Sequence, residues 1–141
     1  MNYTVLKSEL DSGSYSVDPQ LAAEELNAVT ETVNGLAESG LIRGYLAKIG
    51  KLFEINEASK DPNSPVKDIA CAVVMTLQPG GTIDFASAGN QAMLDVVVTA
   101  LGLTEEDKNA ILSFGQRQVS KAESLGLGKV RACDIERARA L

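Results

Sequence analysis

Histidine and tryptophan are absent from the sequence. Without histidine there is no Ser-His or Cys-His nucleophile pair, no imidazole metal ligand, and no side chain that titrates near neutrality unaided. That weighs against catalysis as a class. Aromatic residues are few, three Tyr and three Phe, so the core has to be aliphatic. Cys71 and Cys133 are the only cysteines and neither sits in a CxxC. A disulfide framework is therefore not expected, and the usage suits a reducing compartment. No apolar run approaches the ~20 residues that span a bilayer. The start, MNYTVLKSELDSGSYS, lacks the basic and apolar segments of a signal peptide. The expectation is a soluble, cytoplasmic protein with no membrane partner.

What is present fits one folded domain over residues 1–141, with 45% apolar residues and a formal charge of −6. The charge is uneven along the chain. Residues 1–40 carry seven acids and one lysine, whereas residues 91–141 balance at seven of each sign. A net acidic chain disfavours nucleic acid, because that affinity comes from neutralising phosphates.

Helix signals dominate. Residues 3–10 suggest a short first turn with Val5, Leu6 and Leu10 inward. Asp18-Pro19 is a start signal, since Asp accepts free N–H groups and Pro has its φ preset at the first helical position. Ala22, Leu26 and Val29 then step along one face. VTETVNG reads as extended or loop. Residues 38–58 hold the clearest amphipathic pattern, with Ile42, Tyr45, Leu46, Ile49, Leu52 and Phe53 on one face and Gly44 and Gly50 interrupting it. SKDPNSP breaks the chain as a turn. Ser64-Pro65 opens a helix, PVKDIACAVVMTLQ, that is apolar almost all round and so suits a central position. TIDFAS reads as a short extended piece, and residues 89–101 as a second buried helix. Thr104 with Asp107, and Ser120 with Glu123, have capping-box spacing. Gly126 suits a left-handed helix stop, and Asp134 can cap a last helix, DIERARAL. The predicted fold is mostly α: one compact domain of short helices around two buried apolar helices, with one or two short extended segments.

The candidate chemistry reduces to local structure. QPGGT lacks the spacing of a phosphate loop and reads as a helix stop. GLGK has no strand before it and no Ser or Thr after its lysine. EF-hand spacing is absent, and capping or turn chemistry accounts for Asp61, Asp68 and Asp107. Cys71 reads as a small core hydrophobe. Cys133, near Arg131 and a helix start, has no base to activate it. No catalytic, cofactor or metal residues are expected. One surface feature carries a functional reading. Arg131, Arg137 and Arg139 lie in a basic terminal cluster opposite an acidic start, and are the candidate contacts for a partner or another copy. The plainer reading is a solvated helix face with internal ion pairs.

The C-terminal half resembles small proteins of tailed bacteriophages, in which a leucine-glycine turn, a short helix, an S-[KR]-A-E-x-L-G segment, a valine and an aspartate-started terminal helix follow one another. Here these are Ser120, Lys121, Ala122, Glu123, Leu125, Gly126, Val130 and Asp134. VLKSEL and DPQLAAEELNA resemble the opening helices of the same proteins, and residues 60–90 stand outside the likeness. Such genes lie among virion morphogenesis and tail genes. The resemblance implies a non-enzymatic virion or assembly protein, present in the host cytoplasm during assembly and in the virion. Its partners would be other phage virion proteins and copies of itself, and no catalytic residues are implied. A rival expectation is a phage-encoded inhibitor of a host defence or regulatory protein, whose acidic start would meet a nucleic-acid-binding surface.

Overall fold

A computed structural model describes residues 1–141. In chain order the elements are α1 (Tyr3–Ser12), α2 (Pro19–Asn27), β1 (Val29–Asn34), β2 (Leu36–Glu38), α3 (Ser39–Lys48), α4 (Lys51–Lys60) and α5 (Lys67–Thr76). There follow β3 (Thr82–Asp84), α6 (Ala88–Ala100), α7 (Glu105–Ser113), β4 (Gln116–Ser120), α8 (Lys121–Ser124) and α9 (Ala132–Arg139). The chain is mostly α with short strands, as its sequence predicts. β1 pairs with β4, and β2 with β3. The residues fall into two compact units: Met1–Thr32 with Gln118–Leu141, and Val33–Arg117.

The first unit is built from the two ends of the chain. Leu6, Ala22, Leu26, Val130, Ile135 and Ala138 are buried together. Small alanines let α9 pack against both α1 and α2. Asp18 caps α2 by accepting the N–H groups of Gln20 and Leu21. The Asn27 side chain holds the segment before α9, donating to the Val130 carbonyl at 2.6 Å and accepting its N–H at 2.9 Å. Two expectations need correction. Val29 is not inward: α2 ends as Ala28 turns extended, and Val29 is 64% exposed in β1. Asp134 does not start the last helix, which begins at Ala132. It occupies the third helical position and accepts the Arg131 N–H at 3.1 Å.

The second unit holds the larger core, with Ile42, Leu46, Ile55, Val73, Leu77, Phe85, Leu94 and Ile111 among its buried residues. The amphipathic stretch at 38–58 is two helices rather than one. Gly50 adopts φ 79°, a left-handed conformation that α-helix cannot continue through, and α3 stops before it. Gly44 has no atom near enough to crowd an added Cβ, so close packing does not explain it. β2 and β3 run antiparallel with Ala37 opposite Ile83. Beside them Gly35 and Gly115 come so close that a Cβ on Gly115 would lie 2.6 Å from the Gly35 carbonyl oxygen. Thr104 and Asp107 form the full capping box of α7.

Candidate binding groove

α5 and α6 are too apolar for the cover they receive. Each turns one stripe inward: Ala70 and Val73 from α5, Leu94 from α6. Val74, Val97 and Val98 pack partly against the same core, but other apolar residues have little cover. Met75 is 72% exposed, Met93 56% and Val96 54%. The expectation that both helices supply the core holds in part: Ala70, Val73 and Leu94 are buried and Val74, Val97 and Val98 pack against that core, whereas Met75, Met93 and Val96 face solvent.

Between these helices the second unit has a partly open cavity of about 300 Å³. Ile69, Ala72, Val73 and Thr76 of α5 line one side, and Asn90, Met93, Leu94, Val96 and Val97 of α6 line another. Ile42, Leu46, Leu103 and Ile111 come from the core beneath, with Ile83 and Phe85 from β3 and the residue following it. Fixed contacts hold the walls. Ser87 caps α6, accepting the Asn90 N–H at 3.4 Å, and the Gln91 side chain donates to the Phe85 carbonyl at 2.6 Å. Arg43 donates to the Leu77 carbonyl at 3.0 Å, so a cation closes the C-terminus of α5 where the helix dipole favours it.

The chemistry of the cavity is simple. Asp68, in the first turn of α5, is its only ionisable lining residue. Asn90 and Thr76 add neutral polar groups. Asp95, on the same helix as Met93, is already paired with Lys108 at 2.6 Å, and this bond raises the lysine's pKa above its ordinary value. No acid faces a base across the cavity, and no group of three or more Cys, Asp or Glu side chains in the chain converges on one point.

The sequence-predicted contacts belong to the first unit, at the start of α9 and in its last turn, and all three are exposed. Arg139 donates to the backbone carbonyls of Ser16 and Val17. Arg137 donates to the Tyr3 hydroxyl, which donates in turn to Asp134. Arg131 precedes α9, held through its backbone N–H. Two of the three arginines thus tie the last helix to the N-terminal segment of their own unit. The glycine motifs are turns, with Gly80, Gly126 and Gly128 all at positive φ. Cys71 donates to the Ser59 carbonyl at 3.2 Å, and Cys133 is exposed in the first turn of α9.

The groove residues were not singled out by sequence reasoning. The available signal is the all-round apolarity of α5 and α6, which points to central burial although Met75, Met93 and Val96 are exposed. Comparison with protein-family models, with curated proteins and with solved structures finds no match to this chain.

Proposed function

We propose that this protein is a non-enzymatic component of a tailed-bacteriophage particle or of its assembly, acting through contacts with other phage proteins and with copies of itself. It would act in the host cytoplasm during assembly and in the virion. The observation that carries the binding role is the open apolar groove between α5 and α6, lined in part by the exposed Met93 and Val96. Contiguous exposed apolar surface with a polar margin is the usual mark of a protein-binding face. The phage assignment rests on the likeness of the Ser120–Gly126 segment and the opening helices to small phage proteins. Several of the shared residues have evident packing roles: Ser120 caps α8 by accepting the Glu123 N–H, Gly126 takes a left-handed turn, and Val130 is buried.

A non-enzymatic role is supported by the groove's single ionisable residue, which has no second titratable group with which to exchange a proton. Nucleic acid is disfavoured by charge in each unit. The first has nine acidic and six basic residues, the second ten and seven, so each carries −3. Quantitative mass spectrometry of purified particles and of assembly intermediates tests the proposal. The protein is expected at a fixed ratio to structural proteins in one or both. Its absence from both would overturn the proposal and favour a host-directed inhibitor.

A further inference from the structure

We infer that the groove between α5 and α6 receives an amphipathic helix of a partner protein, one that presents aliphatic side chains at helical spacing and a lysine or arginine at its edge. The inference rests on the binding role proposed above and specifies its partner. Three features lead to it.

The first is what the groove offers. Its long walls are the side chains of two helices, whose backbone N–H and C=O groups are spent on their own turns. A strand added to a sheet edge draws its affinity from main-chain hydrogen bonds, and these walls supply none. A helix needs none from its host, because it satisfies its own backbone and binds through side chains at i, i+3, i+4 and i+7. The second is the lining itself. Met93, one of the two internal methionines, lines the groove and is 56% exposed. Methionine is unbranched and polarizable and adapts to the side chains set against it.

The third feature is charge. Asp68 is the one ionised group in the lining, and no cation in the lining neutralises it. The neighbouring acid on α6, Asp95, already has Lys108. An apolar occupant that ignored Asp68 would reduce its hydration and offer nothing in return, which costs affinity. An occupant with a guanidinium or ammonium at that edge would pair with it. Charge complementarity therefore selects a basic amphipathic helix over an acidic one and over a neutral apolar molecule.

The experiment uses the full-length protein and a displayed library of short helical peptides, varied on one face. Bound sequences are expected to share aliphatic residues at i, i+3 or i+4, and i+7, with a Lys or Arg flanking them. Calorimetry of a selected peptide is then repeated with three variants. Met93→Gln with Val96→Gln, both at exposed sites, should weaken binding at least about tenfold while circular dichroism stays unchanged. Asp68→Asn should weaken it roughly two- to fivefold, the worth of one exposed ion pair. Asp68→Lys should reverse the preference toward peptides with Glu at the same position. Selected peptides without the basic residue, or binding indifferent to the groove variants, would overturn the inference. So would concentration-dependent dimerisation, seen by sedimentation, that the Met93 and Val96 changes abolish, since the occupant would then be a second copy. Particle association that persists after a negative peptide result would leave the proposed function standing and remove only this occupant.

Discussion

Tyr45 and Asp107 are joined by a 2.6 Å hydrogen bond that the phenol donates. Asp107 also accepts the Thr104 N–H at 2.9 Å, and these bonds to its charged form hold its pKa below the usual carboxyl value, the backbone bond first among them. The same bond to Asp107, followed by desolvation, raises the pKa of Tyr45. The consequences for stability have opposite signs. A depressed carboxyl pKa contributes stability that is present above the ordinary value of 3.8 and lost as pH falls through the lowered one. A raised phenol pKa contributes stability that is present below 10.0 and lost as pH rises through the raised one. In Tyr45→Phe the alkaline contribution should vanish and the acid loss should become shallower, because Asp107 keeps only its capping bonds. Urea melts across pH would show it; matching pH profiles for wild type and variant would contradict the assignment. Gly115 makes a different kind of demand. A Cβ there would meet the Gly35 oxygen at 2.6 Å and the Ala37 Cβ at 3.3 Å, neither of them the flexible end of a long side chain. Gly115→Ala should therefore destabilise by about 1–3 kcal/mol in a thermal or urea melt, and a neutral result would mean that the two backbones separate easily.

Among the elements, the starts of α2, α7 and α8 were the most legible in the sequence. Asp18, Thr104 and Ser120 each act on N–H groups two or three residues away, so no distant partner is needed to read them. Strand β4 was not legible. QRQVS has no clear apolar alternation, and its extended form depends on β1, more than eighty residues earlier, with Gln118 donating to Thr32 at 2.7 Å. The groove was hidden for a related reason. Periodicity shows that α5 and α6 are apolar on most faces, but which faces are covered depends on neighbours that a local window does not contain. That difference can be measured with one substitution at a buried lining residue and one at an exposed lining residue. Val73 is 8% exposed, where the groove meets the core, and Val96 is 54% exposed in the groove wall. Val73→Asp should cost ~3 kcal/mol or more, since a carboxylate there loses water and gains no partner. Val96→Asp should stay within about 0.5 kcal/mol of wild type. Equal losses at both positions would place Val96 in the core and close the groove.

Across the whole molecule, the uneven charge of the sequence is redistributed by the fold. The acidic first residues and the basic last ones belong to the same unit, where Lys121 meets Glu31 at 3.5 Å and Arg139 holds the Ser16 and Val17 carbonyls. Both units end at −3. Part of that charge thus joins one unit's own two segments. This arrangement also makes the middle of the chain an insertion. The first unit has its own buried cluster, from Leu6 to Ala138, and the chain leaves it at Thr32 and returns at Gln118, two residues whose side chains touch. Joining Met1–Thr32 to Gln118–Leu141 through a short glycine-rich turn should therefore give a folded protein. Its size is near the lower limit for domains that fold without disulfides or metals, so a low melting temperature is expected. The excised Val33–Arg117 segment, with the larger core, should fold as well and keep the groove. Circular dichroism and amide exchange would test both. A cooperative melt and protected amides in α2 and α9 of the joined ends, and in α4 and α5 of the insert, would establish two autonomous units. If neither piece protects its amides while the whole chain melts in one transition, residues 1–141 fold as one cooperative domain, and the two clusters are regions of a shared core.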